Sequence, residues 1–311
     1  MGVVLRPLFW LPSWLARDIY TVVFKPKLLR ALAHAAIKRM IPARLNVKGV
    51  TLALNRDDAV LCGALALGCY GWYELDFFER MLRPGFSVLD IGANIGLYSA
   101  VSAGAVGPAG TVFAIEPDRC NCDFLRRTIG LNGFTNVHIT QAAASDSTCP
   151  GRLFLSSDNK ADHRIFDSAD GREHVPVDLT TIDDFVAARG IARVDVVKMD
   201  IQGAEPRAFA GMRRTLEANR DVRVVMEFWP WGIVQGGGDA RGLLADIRAM
   251  GFRIYELDDR VRRAVEVTDD EALAGRNLER QHTNILVQRA AEELFVEGLS
   301  HREDRRAVLR S

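Results

Sequence analysis

The chain has 311 residues, with 40 Lys and Arg against 40 Asp and Glu, so its formal charge is zero and no global field favours a nucleic-acid partner. About half of it is apolar, enough to bury a large core in one elaborated domain or two. Its five cysteines form no C-x-x-C pair, which excludes the usual zinc knuckle; free thiols of a reducing, cytoplasmic compartment are expected, and no metal.

Charge is uneven along the chain. From Met1 to Lys48 Asp18 is the only anion among many cations, so this segment meets something polar and anionic. Met1 to Phe24 places Phe9, Trp10, Trp14, Tyr20 and Phe24 between prolines. Lys27 to Met40 then has helical spacing, with Lys27, Arg30, His34 and Lys38 down one stripe and Leu28, Leu32, Ala35 and Ala36 on others. Two readings stay open: a segment lying peripherally on the inner face of an anionic membrane, or a cap packed on the core or on a second subunit. Arg6, Pro7, Pro12, Arg17 and Asp18 break the best candidate for a membrane span, and Pro12 also sits badly in a secretory signal. Leu45 to Leu54 predicts a hairpin turning at Lys48-Gly49. Asp57 and Asp58 cap a short helix to Leu67, and Gly71 to Leu82 is a further helix closed by Arg83-Pro84-Gly85.

The chain is organised around Phe86 to Tyr98, F-S-V-L-D-I-G-A-N-I-G-L-Y. An apolar run buried on both faces of a parallel sheet stops at Gly92, and a helix begins after Gly96. The two glycines clear side chains from the turn, and the helix start offers unpaired N–H groups to a nucleotide-like ligand. Asp90 stands at the strand end and the glycines are spaced G-x-x-x-G. A carboxylate there repels a pyrophosphate and attracts the ammonium of an amino-acid moiety, which points to S-adenosylmethionine. The next strand, Thr111 to Ile115, ends in Glu116, 24 residues after Gly92, where an acid can accept both ribose hydroxyls.

Pro117 and Asp118 open a helix to Leu131, and Val137 to Thr140 is a third strand. Strand, helix, strand, helix, strand is half of a doubly wound sheet. Gln141 to Asp146 is a small-residue stretch where Ala143 leaves room for an adenine and Asp146 can accept from its exocyclic amine; a plain loop is the other reading. Leu153 to Leu155 and Val175 to Val177 look like antiparallel strands enclosing a polar insertion, Ser156 to Arg164, over the site. Thr181 caps a short helix, and Val194 to Met199 is a fourth strand ending in Asp200. Val222 to Phe228, Phe252 to Leu257 and Asn284 to Val287 complete the sheet, with a Gly236-Gly-Gly238 hinge or loop and a helix from Arg241 to Met250 between the first two. The tail from Arg289 to Ser311 reads as a loosely attached charged helix.

Four motifs in order resemble the FkbM-type S-adenosylmethionine-dependent methyltransferases: V-L-D-I-G-A-N-I-G-L-Y (Val88 to Tyr98), A-I-E-P-D (Ala114 to Asp118), L-N-G-F-T-N-V (Leu131 to Val137) and V-V-K-M-D-I-Q-G-A-E (Val196 to Glu205). The resemblance implies an α/β class I methyltransferase fold, a Rossmann-like doubly wound seven-stranded sheet with its last strand antiparallel. It also implies methylation of a hydroxyl, often on a sugar or secondary metabolite. On this reading residues 1–69 are a helical N-terminal extension, 70–290 the methyltransferase domain with a β insertion, and 291–311 the tail. One position departs from the family's K-I-D-V-E-G-x-E: Gln202 stands where a glutamate is usual.

The cofactor set is Asp90, Gly92, Ala93, Asn94, Gly96, Glu116, Pro117, Ala143, Asp146 and Asp200. A hydroxyl needs its proton accepted. His163, oriented by Asp162, is the first candidate base, followed by Asp200 and Glu205. Asp200 with Glu227 could alternatively hold Mg²⁺. Arg164, Lys160, Glu74 and Glu227 are candidate acceptor contacts, the two cations suiting a uronate or phosphorylated carrier. Two other classes stay open: a cofactor-binding protein without catalysis, which Gln202 keeps in play, and a nicotinamide oxidoreductase, against which Asp90 argues.

Overall fold

The structure, a computed structural model, describes residues 27–157, 159–276 and 282–289. Helix α1 (Lys27–Met40) leads into β1 (Arg44–Val47) and β2 (Val50–Ala53), a hairpin turning at Lys48 and Gly49, both at positive φ as a tight hairpin turn requires. His34 on the basic stripe of α1 is buried against the body, whereas Leu29, Leu32 and Met40 are exposed. The hairpin is tied to the helix α5 (Arg119–Leu131): Asn132 Oδ1 accepts from Thr51 N–H and Thr128 Oγ1 from Ala53 N–H. α2 (Leu61–Ala66) begins over Asp58, whose Oδ1 accepts from the Val60 and Leu61 N–H groups, and α3 (Trp72–Met81) follows.

Each strand predicted for the main sheet forms. β3 (Ser87–Ile91), β4 (Thr111–Ile115), β5 (Val137–Thr140), β9 (Val196–Met199) and β10 (Arg223–Phe228) are parallel; β13 (Thr283–Gln288) runs antiparallel between β10 and β11 (Arg253–Asp258). One strand is additional: β12 (Arg263–Glu266) folds back on β11 as a hairpin, so the sheet has eight strands rather than seven, in the order β12-β11-β13-β10-β9-β3-β4-β5. Asp258 Oδ1 receives the Arg260 and Val261 N–H groups at the turn and Arg253 pairs with Glu266 across the strands. β12 is mostly exposed and charged, which blunts a sheet edge that a seventh strand would leave open.

Alternate residues of the strands face two apolar layers. Val88, Val112, Val196 and Val225 pack with Leu52 of the hairpin, Phe78 of α3 and Val101 of α4 (Leu97–Val106). Leu89, Ile91, Val197 and Met199 pack on the other side with Phe185 of α6 (Ile182–Ala188), Phe209 of α7 (Glu205–Ala210), Leu216 of α8 (Arg213–Ala218) and Leu244 of α10 (Ala240–Ala249). With both faces covered, the strands read as continuous apolar runs. α7, α8, α9 (Pro230–Gln235) and α11 (Asp270–Ala274), of five or six residues each, were not predicted.

The insertion is a second sheet, β6-β8-β7, of β6 (Ala143–Ala144), β7 (Cys149–Phe154) and β8 (His174–Thr180). The stretch from Gln141 to Asp146, read as an adenine rim or a loop, supplies β6, which runs parallel to β8. The Met1 to Phe24 segment and the 291–311 tail lie outside the described residues. Among the described residues no helix is long and apolar enough to cross a membrane.

Candidate active site

β3, β4 and β9 end together, and their last residues bring Asp90, Glu116 and Asp200 to one cleft, of ≈ 980 Å³ with its open mouth. This is the position expected for a ligand beyond the carboxyl ends of parallel strands. Asp90 is buried and accepts from Ser99 Oγ on α4; burial pushes its carboxyl up to about 6, against the Ser99 hydrogen bond and the Lys198 charge. Glu116 is likewise buried, and burial pushes it up to about 7 although Asp118 N–H, Asn94 N–H and Asn121 donate to it.

The glycine turn differs from its sequence reading in two ways. A Cβ on Gly92, at φ +82°, would lie 2.0 Å from the Asp200 carbonyl oxygen, and one on Gly96 2.3 Å from Leu125 Cδ1. These glycines therefore let the turn pack against the end of β9 and against α5 instead of clearing space for a ligand. The turn's N–H groups are also spent internally: Gly92 and Ala93 on Ile115 O, Asn94 on Glu116, Ile95 on Asn94 Oδ1 and Gly96 on Ala93 O. A pyrophosphate finds no row of free donors here.

Ala142, Ala143, Ala144, Leu153 and Ile165 make one wall apolar, and Pro117, Asn121 and His163 close it. This slot fits a purine. Asp146 does not reach it: the side chain is outside the cleft and takes a two-pronged ion pair from Arg207, which lowers its carboxyl pKa. The insertion folds over the turn, with Lys160 O accepting from the Asn94 and Asn121 side-chain amides. The Lys160 ammonium turns back to Ser156 O.

His163 lines the cleft, but its Nδ1 accepts from Ser156 N–H at 3.0 Å, and burial lowers its pKa. With Nδ1 accepting, the neutral ring carries its proton on Nε2, so neither ring nitrogen is free to take a proton from an acceptor. Asp162 does not orient it: that carboxylate binds Arg164 at 2.8 Å and Arg172 at 2.7 Å. Arg164 in turn is buried, set against Trp229, and is absent from the cleft wall. It anchors the insertion and is not free for an acidic acceptor.

At the other end Lys198 Nζ, 2% exposed, lies 3.2 Å from Glu74 Oε1, 3.9 Å from Asp200 Oδ2 and over the Tyr98 ring. Burial opposes its charge, but Glu74 and Asp200 outweigh it and hold the ammonium. Asn284 donates to Glu74 Oε2. The Tyr98 hydroxyl makes no well-formed hydrogen bond. Gln202 Nε2 donates to Asp200 Oδ1 and Glu227 Oε2. Glu205 is fully buried and absent from the cleft wall, its two oxygens bonded to Ile201 N–H and Gly203 N–H, with burial pushing it up to about 7; it holds the loop that follows β9. Sequence reasoning missed Tyr70, Tyr98 and the centrality of Lys198. The placing of Tyr70 four residues before Glu74, and of Tyr98 second in the helix that follows the glycines, is the signal that could have found them.

The cleft thus fits S-adenosylmethionine: an apolar slot, an acid at Glu116 for ribose hydroxyls, Asp90 for an ammonium and no phosphate cradle. The methyltransferase FkbM domain model matches residues 90–254. The chain is similar to 31-O-demethyl-FK506 methyltransferase FkbM of Streptomyces tacrolimicus, 26% identical over 160 residues, which is 42% of this chain and 61% of that relative, so under two thirds of the relative is spanned. Among solved structures it is similar to methyltransferase FkbM from Methylobacillus flagellatus KT, with 17% identity, 85% of this chain and 60% of that one covered and a TM-score of 0.40. It also resembles a Streptococcus mutans protein described as a methyltransferase and solved in complex with SAH, with 8% identity, 69% and 94% covered and a TM-score of 0.41. With the family domain covering more than half of its length, from Asp90 to Ile254, the protein belongs to the FkbM family of S-adenosylmethionine-dependent methyltransferases.

Proposed function

We propose that the protein methylates a hydroxyl oxygen of a small or saccharide acceptor, a sugar, a glycan- or lipid-linked saccharide or a secondary metabolite, with Asp200 accepting the proton. The observation that carries this reading is the placement of Asp200: it lines the cleft, keeps its side chain 42% exposed, and has Oδ1 held by Gln202 while Oδ2 faces Lys198. When bound, S-adenosylmethionine supplies a methyl group already activated on sulfur, so the protein's work is to aim a hydroxyl and manage one proton. An oxygen of Asp200 within hydrogen-bond reach of that hydroxyl raises its nucleophilicity, and the Lys198 ammonium steadies the carboxylate. Lys198, the cation beside Asp200, is already paired with Glu74 and Asp200, which favours a neutral acceptor over a uronate or phosphorylated one. The name of that relative, a methyltransferase acting on 31-O-demethyl-FK506, agrees with oxygen as the target. The described cysteines are free, which suits a cytoplasmic setting, and the basic N-terminal segment could meet the membrane's inner face from there.

The test is transfer of labelled methyl from S-adenosylmethionine to a panel of neutral sugars, polyols and their uronate and phosphate counterparts, with Asp200→Asn alongside. Turnover on neutral members, falling about 10²–10³-fold in kcat in the variant at saturating S-adenosylmethionine, is expected. Tight S-adenosylhomocysteine binding without transfer to any member would replace the enzyme with a cofactor-binding module.

A further inference from the structure

Gln202 occupies the loop between β9 and α7 in the left-handed region, φ +56°, and lines the cleft. Its Nε2 lies 2.7 Å from Asp200 Oδ1 and 3.0 Å from Glu227 Oε2, so one amide bridges carboxylates delivered by two adjacent parallel strands. The backbone on both sides is fixed, because Glu205 takes the N–H of Ile201 and of Gly203. Around Glu227 stand Asp200, Glu205 and Glu74, and Asp90 faces Asp200 and Lys198; the phenols of Tyr70 and Tyr98 adjoin Glu74, and Lys198 is the cation among them. An ionised carboxylate accepts an amide N–H more strongly than the neutral acid does, so the bridge favours the charged form of each acid. A neutral amide with two hydrogens separates the two acids without adding charge, where a third carboxylate would repel both.

We infer that Gln202 is a positioning residue of the acceptor pocket, its amide clamping Asp200 and Glu227 so that Asp200 presents Oδ2 to the acceptor hydroxyl as a proton-accepting oxygen. This rests on the role proposed above for Asp200. The clamp itself is testable without an acceptor. Full-length wild type, Gln202→Met and Gln202→Glu are melted between pH 5 and pH 8, with and without S-adenosylhomocysteine. Methionine matches glutamine in length and bears the same strain at positive φ, so the difference isolates the amide. The thermal deficit relative to wild type is about 3 °C at both pH values in Gln202→Met, which loses the bridging amide, and in Gln202→Glu it widens from about 3 °C at pH 5 to about 6 °C at pH 8 as the introduced carboxylate ionises beside Asp200 and Glu227. S-adenosylhomocysteine affinity of Gln202→Met stays within about threefold. On any neutral sugar that wild type methylates, the acid limb of the pH profile moves up by about one unit in Gln202→Glu. No deficit in Gln202→Met, or a Gln202→Glu deficit that matches it at both pH values, shows that Gln202 only fills space and overturns the clamp. Failure of wild type to bind S-adenosylhomocysteine sinks the methyltransferase reading instead, and the melting curves then still decide the clamp.

Discussion

Cofactor binding to this cleft should release protons below neutral pH. In the free protein burial pushes Asp90 up to about 6 and Glu116 up to about 7, so at pH 6 Asp90 is about half protonated and Glu116 about nine-tenths. A ligand that sets an ammonium against Asp90 and hydroxyl donors against Glu116 requires both as carboxylates. Full ionisation then releases about 1.4 protons at pH 6 and about 0.1 at pH 8. The same occupancies make S-adenosylhomocysteine bind about 20-fold more tightly at pH 8, or about 1.8 kcal/mol. For stability without ligand the sign is opposite. Both folded-state pKa values lie above the ordinary 3.8 and 4.5 of these carboxyls, so these groups contribute stability at low pH that is lost as pH rises through about 6 and 7. Glu205, also raised to about 7, adds to that loss but touches no ligand site. Calorimetric titration at pH 6 and pH 8, in buffers of different ionisation enthalpy, reads the proton count directly. Asp90→Asn should remove about 0.5 proton at pH 6 and Glu116→Gln about 0.9. Proton uptake, or heats independent of buffer at pH 6, would refute the assignment of both acids to the cofactor.

Two substitutions test the corrected readings of the site. His163→Ala should leave methyl transfer within about fivefold and the acid limb of its pH profile unmoved, because Nδ1 is already spent on Ser156 N–H; a loss above about 10² with a shifted limb would restore His163 as the base. Gly92→Ala places a Cβ 2.0 Å from the Asp200 carbonyl oxygen at φ +82°, so it should cost about 3 kcal/mol, lower the melting temperature by about 6–12 °C and weaken S-adenosylhomocysteine binding; an unchanged melting curve would show that the β3 turn can move off β9.

The parts of the fold that were legible in the sequence are those whose signal is local. A strand buried on both faces shows itself as an apolar run, and β3, β4 and β5 lie within a residue of their predicted limits. Helix starts were equally clear where a side chain caps them: Asp118 accepts from Asn121 N–H and Thr181 from Asp184 N–H. β12 carries no such mark. Its residues Arg263, Ala264, Val265 and Glu266 are mostly exposed, and only pairing with β11 makes them a strand. β6 is two alanines whose state is fixed by β8, some 35 residues further on. Helices of six residues bury too little of one face to show a period, so α7, α8 and α9 are held by the sheet they cover.

The site divides along the same line. Strand ends and the glycine spacing disclosed that Asp90, Glu116 and Asp200 share one sheet edge, since parallel topology alone puts them there. What each acid does depends on partners that spacing cannot supply. Asp146 was a candidate for adenine until Arg207, 61 residues away, claimed it, and Glu74 meets Asn284 across 210 residues. Glu205 and Asp200 are five residues apart in one motif, yet the first is sealed by two backbone N–H groups and the second stands open to the cleft. That separation supports the proposal that Asp200 takes the proton: a carboxylate can take a substrate proton only if one of its oxygens is reachable from the cleft. Asp200 lines the cleft with its side chain 42% exposed and, among the described residues, no backbone donor on it, whereas Glu205 is buried outside the cleft wall and bonded to two backbone N–H groups.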